Sequence, residues 1–299
     1  MRRCIGAFVL PCLLAGVGFA RSPLDGIEFV VDTRPSYGAS LGDQSSASAC
    51  SDGSDFFVVW EDGRADGDWN LYGNRVSQAG QVLGAASICL VADSGSQLAP
   101  AIAFDGTHYL VAWTDVTADG GDIRAARVTR GGEVVDTLTV SAAPGRQANP
   151  AVAFDGANYL VAWEDYRARQ GDIYAARVDQ SGIVLDTAGV VVSAAPDTQS
   201  RPTALFDGAH FLVAWQDDRR GQLETDIYAA RVSASGAVLD TAGIAVSTGA
   251  DWQRMVAAAS NESIAVVAWA DFRNGSYDIY GQRWMRLPRS RVHRVLPPR

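Results

Sequence analysis

The chain has 299 residues, 47% of them apolar, with 34 acidic side chains against 25 basic ones and a formal charge of −9. So acidic a body excludes nucleic acid as the partner expected of the folded part, because phosphate backbones are bound by dense positive charge. Every basic residue is Arg, and residues 284–299 carry five of them with no acid.

Residues 1–20 read as a secretory signal peptide. Arg2 and Arg3 precede an apolar run over residues 5–14, and Gly18 and Ala20 stand at −3 and −1 of a cleavage site. That run is shorter than the ~20 residues a bilayer span needs, and no later segment is apolar for longer. A secreted, periplasmic or cell-surface location without a membrane span is therefore expected. Residues 285–299 have no periodicity and three prolines, and read as a disordered basic tail.

Residues 21–284 are dominated by one repeated phrase. Trp60, Trp113, Trp163, Trp215 and Trp269 recur at gaps of 50–54 residues. Each closes a similar run, as in PAVAFDGANYLVAW (150–163) and PTALFDGAHFLVAW (202–215). A period of this length means a repeat architecture. In the third copy, residues 150–154 alternate and end at Asp155-Gly156, a hairpin signal. Residues 158–163 are apolar on both faces, as in a strand held between two layers. Residues 172–178 form a third strand and residues 190–192 a fourth. Four antiparallel strands with two apolar faces make a propeller blade, which buries those faces only against other blades.

Five copies of the first three strands occur, at 47–76, 100–128, 150–178, 202–232 and 256–284. Only four have a fourth strand, near 88–91, 138–141, 190–193 and 244–247. Residues 26–32, Gly-Ile-Glu-Phe-Val-Val-Asp, precede the first copy and suit the missing one. The expectation is an all-β, five-bladed β-propeller of four-stranded antiparallel blades. Residues 27–32 would close it by pairing beside residues 278–283, and the chain would act as a monomer.

The phrase W-x-D-x-R followed by D-I-Y resembles the TolB-like family of β-propeller repeats found in bacterial and archaeal surface proteins. It is carried by Trp269, Asp271, Arg273, Asp278, Ile279 and Tyr280, by Trp163, Asp165, Arg167, Asp172 and Tyr174, and by Trp215, Asp217, Arg219, Asp226 and Tyr228. The second copy departs, with Thr117 for Arg and Arg124 for Tyr. The first has Asn70-Leu71-Tyr72. The resemblance implies an interaction platform.

In a propeller the interblade linkers and the loops between second and third strands open on one face. Sixteen residues before each Trp stands a glutamine: Gln44, Gln97, Gln147, Gln199 and Gln253. The position lies just before the innermost strand, near the channel mouth. These amides either tie their linkers by hydrogen bonds or form a ligand-binding ring. The pairs Asp165/Arg167, Asp217/Arg219 and Asp271/Arg273 are likewise structural ion pairs or a binding rim suited to carboxylate or phosphate. Trp69 and Trp252 lie outside the repeated Trp position and are candidate sugar platforms.

Other chemistry has weak signals. Asp66-Gly67-Asp68-Trp69-Asn70 has Leu71 where a calcium loop wants Gly, so no metal or cofactor is expected. His108 and His210 share one repeat position in different copies and cannot converge on one ion. A glycoside hydrolase on this fold needs two carboxylates in the central cleft. The expected innermost strand starts, Ala47, Pro100, Pro150, Pro202 and Val256, have no acid within two residues. The reading is a binding module for protein or glycan, with a carbohydrate-active hydrolase as the alternative and no catalytic residue assigned. Cys50 and Cys89, on the innermost and outermost strands of one blade, sit about 14 Å apart at ~4.8 Å per strand. Both are expected reduced and mostly buried.

Overall fold

The computed structural model describes residues 30–32, 42–64, 67–116, 120–221, 224–261 and 264–285. The signal peptide expected at 1–20 and nearly all of the basic tail lie outside these residues. The sheet continues to Met285.

Nineteen strands among the described residues fall into five antiparallel sheets. The first contains β1 (Gln44–Ser51), β2 (Asp55–Asp62), β3 (Asn70–Ser77) and β4 (Ile88–Val91). The second has β5 (Gln97–Phe104), β6 (His108–Asp115), β7 (Asp122–Thr129) and β8 (Val134–Ser141). The third has β9 (Gln147–Phe154), β10 (Asn158–Asp165), β11 (Asp172–Asp179) and β12 (Val190–Ser193). The fourth has β13 (Gln199–Phe206), β14 (Phe211–Asp217), β15 (Asp226–Val232) and β16 (Ile244–Ser247). The fifth has only β17 (Gln253–Ser260), β18 (Ile264–Asp271) and β19 (Asp278–Met285). Each sheet is a meander in chain order, so each is one blade of a five-bladed β-propeller.

The hairpins follow from the Asp-Gly pairs. Asp155 Oδ1 accepts the backbone N–H of Ala157 at 2.8 Å and of Asn158 at 2.7 Å, and Gly156 takes φ 99°. That left-handed turn is open to glycine without a Cβ penalty.

Blades pack face to face through apolar clusters. Trp113, Trp163 and Trp215 are fully buried, and Trp60 and Trp269 are 5% exposed. Truncating one such indole to Ala typically costs about 3–5 kcal/mol. Four clusters join sheets one to two, two to three, three to four and four to five.

The innermost strands begin three residues earlier than the sequence pattern suggests. Gln44, Gln97, Gln147, Gln199 and Gln253 are their first residues rather than linker residues just before them. A β-bulge explains the difference. Ser46, Ala99, Asn149, Arg201 and Met255, each two residues after its Gln, take φ between 51° and 55°. The register slips there, opposite the repeated Trp, in every sheet. The next residue is Pro100, Pro150 or Pro202 in three blades; a bulge tolerates the missing N–H. Alternation restarts only after the bulge, so the pattern shows only the later half of each strand.

The expected closing strand is only partly described: residues 27–29 lie outside the described residues, and residues 30–32 lie on sheet one with no ladder to β19 among the described residues. Asn74 Nδ2 donates to the Val31 carbonyl at 3.2 Å. Asp32 accepts from Gln44 Nε2 at 2.8 Å, Arg64 Nη2 at 3.1 Å and Ser87 Oγ at 2.5 Å. The cation and hydroxyl that hold Asp32 all belong to the first blade, which draws the segment there.

Cys50 and Cys89 form no disulfide with each other. Cys50 packs against the cluster between sheets one and two. Cys89 is exposed, against expectation. The second residue of a short outer strand faces solvent, as Val191 does in β12 at 45% exposure.

Candidate functional site

The mouth face is assembled by main-chain bonds between neighbouring blades. The first N–H of β5, β9, β13 and β17 donates into the preceding blade's loop between second and third strands. Gln97 N reaches Trp69 O at 2.7 Å, Gln147 N reaches Gly121 O at 2.8 Å, Gln199 N reaches Gly171 O at 2.6 Å, and Gln253 N reaches Thr225 O at 2.8 Å. Linkers and D-x-R loops therefore share one face.

The glutamine side chains turn into the protein. Gln97, Gln147, Gln199 and Gln253 are fully buried. Their Nε2 groups donate to carbonyls of their own linkers: Gly95 at 2.9 Å, Gly145 at 2.8 Å, Asp197 at 3.0 Å and Asp251 at 3.0 Å. They act as linker braces. Gln44 alone is exposed, bonded to Asp32 and Asp62.

The D-x-R residues form a repeated knot. Asp62, Asp165, Asp217 and Asp271 are fully buried. Each accepts the indole N–H of the Trp two residues earlier, at 2.8–3.1 Å. Each also takes a bidentate guanidinium from Arg64, Arg167, Arg219 or Arg273. The guanidinium then lies over Tyr72, Tyr174, Tyr228 or Tyr280, 3.8–4.2 Å from the ring centroid. Burial by itself pushes the Asp62 and Asp271 carboxyls up. Their Arg and Trp donors, with Gln44 at Asp62, outweigh it and hold both below the usual carboxylate range.

Blade two keeps the charge balance by another route. Thr117, outside the described residues, replaces the Arg, and Arg124 on β7 supplies the cation, with Nη1 3.4 Å from Asp115 Oδ2 and 3.1 Å from Asp93 Oδ2. The Trp113 indole N–H has no partner among the described groups.

Two further sets of residues lie on this face. The residue after each repeated Trp carries an acceptor in four blades, and it clamps the bulge of the next blade. Ala99 N donates to Glu61 Oε1 at 2.5 Å, Asn149 N to Thr114 Oγ1 at 3.0 Å, Arg201 N to Glu164 Oε1 at 2.7 Å, and Met255 N to Gln216 Oε1 at 2.7 Å. The recurring acceptor beside Trp was the available sequence signal. The second set is an aromatic run. Trp252 meets Phe272 at 5.9 Å between centroids, Phe272 meets Tyr277 at 5.0 Å, and Arg254 lies 4.6 Å over Trp252. Tyr277 is 49% exposed. Only Trp252 of this run stands out in the sequence, because Phe272 and Tyr277 come from a loop that the fold brings to the linker. Trp69 instead packs its ring against Gly63.

Three carboxyls, Asp172, Asp218 and Asp226, shift the other way, raised first by burial. Asp172, opposite Asp165 in the β10–β11 ladder, is 7% exposed. Burial, then the charge of Asp165, pushes it up.

No family model matches the chain, and no curated protein does. Solved structures do match in fold. The catalytic domain of a Coprinopsis cinerea GH62 alpha-L-arabinofuranosidase aligns over 84% of this chain and 93% of its own, with 11% identity and TM-score 0.51. A thermostable family-43 glycoside hydrolase aligns over 80% and 89%, with 9% identity and TM-score 0.50. A Bacillus subtilis arabinanase aligns over 80% and 93%, with 16% identity and TM-score 0.44. At such identities the likeness defines a fold class, the five-bladed β-propeller.

Proposed function

We propose that the chain is an exported propeller module that binds glycan on its channel-mouth face. The observation that carries this reading is the run Trp252–Phe272–Tyr277, topped by Arg254 and exposed at Tyr277. Aromatic faces stack on the apolar faces of sugar rings while hydrogen-bonding groups beside them read hydroxyls. Asp62, Asp165, Asp217 and Asp271, the Nε2 groups of the four buried Gln residues, Glu61 and Glu164 are engaged within the protein itself. The W-x-D-x-R…D-I-Y resemblance supports an interaction platform, and a signal-like N-terminus supports the cell surface or periplasm.

A carbohydrate-active hydrolase is the second reading, and the fold likeness to a GH62 alpha-L-arabinofuranosidase and a family-43 glycoside hydrolase supports it. Of the three carboxyls that burial raises, Asp226 pairs with Arg220 and Asp218 faces Thr225 and Arg254, which leaves Asp172, beside Asp165, as the candidate general acid. One experiment separates the readings. The purified chain is screened for glycan binding, and in parallel for release of reducing ends from arabinan. Binding lost in Trp252→Ala and Tyr277→Ala, with no sugar release, supports the module. Release that disappears in Asp172→Asn supports the hydrolase. Neither binding nor release sinks both.

A further inference from the structure

Every internal blade boundary is built from the same two faces. Between sheets two and three, Leu110, Ile123 and Val140 of the earlier blade meet Tyr159, Val161 and Val178 of the later one. The outer strand of the earlier blade thus lies on the later blade's face. Both ends of the array leave one such face uncovered. In sheet five, Val266 and Ile279 stand where Leu110 and Ile123 are fully buried, yet they are 42% and 77% exposed. In sheet one, Phe56, Val58 and Val76 stand where Tyr159, Val161 and Val178 are buried, and line an open apolar cavity of about 280 Å³. No hydrophobic cluster among the described residues joins sheet five to sheet one.

Residues 30–32 show what the sheet-one face receives. Val31 lines that cavity and Val30 is 75% exposed. β4 and β12 follow a similar order: Cys89 or Val191 faces solvent and the next two residues are buried, where Val31 and Asp32 are half-buried. Residues 30–32 therefore lie on sheet one as the outer strand of a preceding blade would. Among the described residues sheet five has no fourth strand, and no strand follows β19 in its sheet. Such an edge is a template for another strand.

We propose that the two ends mate head to tail between copies of this chain. Residues 30–32 of one copy, seated on their own sheet one, add as fourth strand to β19 of the other. Val266 and Ile279 of that second copy then cover the cavity rim. The register follows from the complete blades, where Tyr72 faces Cys89, Tyr174 faces Val191 and Tyr228 faces Ala245; Tyr280 thus faces Val30 of the other copy. One element of the internal boundary is missing. Ala270 occupies the position of Glu61, Thr114, Glu164 and Gln216, so no side chain clamps the bulge at Ser46. The contact keeps the apolar and strand-pairing parts without the clamp, which makes it a reversible association. Its two surfaces are different, so it is heterologous and extends beyond two copies unless the rotation closes a ring. This proposal is independent of the glycan reading.

The test uses the full chain with its native cysteines replaced by Ser. Val30→Cys and Tyr280→Cys are placed on separate chains, mixed and mildly oxidised. A disulfide-linked pair in the mixture, with neither variant linked when oxidised alone, is expected. Light scattering of the unmodified chain should show a mass that rises with concentration. Ile279→Arg, at an exposed position, should move that rise to about tenfold higher concentration or more, a change of about 1.4 kcal/mol. A concentration-independent monomer with no link overturns the proposal. So does a chain carrying both cysteines that forms the bond only within itself, which would mean that its own blades close the ring.

Discussion

The backbone N–H of Arg201 donates to Glu164 Oε1 at 2.7 Å, across the boundary between the third and fourth blades. Arg201 sits at φ 51°, a costly conformation for a residue with a Cβ, so the surrounding structure must hold it. Glu164 also accepts from Asn149 Nδ2 at 2.8 Å and Tyr166 Oη at 3.1 Å. Glu164→Ala strands a half-buried N–H and the Asn149 and Tyr166 donors, and should cost about 1–3 kcal/mol. Glu164→Gln keeps an oxygen acceptor and should recover much of that. Urea unfolding of the two variants is the measurement; equal losses would mean that the charge matters and the acceptor does not.

Much of the fold was legible because Trp, Asp-Gly and the D-I-Y phrase recur in phase, and a repeat reports its strands several times over. The fourth strands near 88–91, 190–193 and 244–247 coincide with β4, β12 and β16. The bulge was not legible, because a positive φ at Ala99 or Met255 leaves no mark in residues of ordinary type. Pro100, Pro150 and Pro202 were its only trace. The site was harder still. The recurring Gln left two readings open, a linker brace or a ligand-binding ring, and burial with bonds to linker carbonyls makes four of them braces. Tyr277 and Trp252 are 25 residues apart in the chain, and only the packing of a loop on a linker unites them through Phe272.

Arg124 gives a test of compensation inside one blade. It replaces the repeat's Tyr and supplies Asp115 with the cation that Arg64, Arg167, Arg219 and Arg273 supply elsewhere. Arg124→Tyr restores the Tyr of the other copies yet removes that cation, and should destabilise the chain by about 1–2 kcal/mol. Adding Thr117→Arg should return the loss. Thermal denaturation of the single and double variants decides it; a double variant no better than the single one would mean that blade two has no room for the common knot.

The knots predict acid sensitivity. Asp62 and Asp271 have folded-state pKa values below the ordinary 3.8. Their stabilisation is therefore fully present above the unfolded value and is lost as pH falls through the folded one. Asp271→Asn keeps one acceptor oxygen but loses the paired charge, and should cost roughly 1–3 kcal/mol near pH 7. The difference from the unmodified chain should narrow below about pH 4, as Asp271 itself becomes protonated. Chemical denaturation at a series of pH values measures it. A gap that stays constant into acid would assign the loss to geometry alone.

Asp172 predicts the opposite sign. Burial and the neighbouring charge of Asp165 raise its folded-state pKa above 3.8, so the folded chain holds this proton more tightly than the unfolded chain does. Ionising Asp172 therefore works against folding at neutral pH, and the penalty disappears as pH falls through the raised value. Asp172→Asn removes the ionisation and should raise the melting temperature near pH 7, with the gain vanishing in acid. A second variant tests the cause. In blade four the equivalent Asp226 accepts from Arg220 Nε at 2.6 Å and Nη2 at 2.5 Å. Ala168, exposed in blade three, occupies the position of Arg220. Ala168→Arg should pair with Asp172 and stabilise the chain at pH 7 without changing the carboxyl. Asp172→Asn that lowers the melting temperature at pH 7 would contradict the buried-charge account, and would instead identify Asp172 as an acceptor that the blade requires in its ionised form.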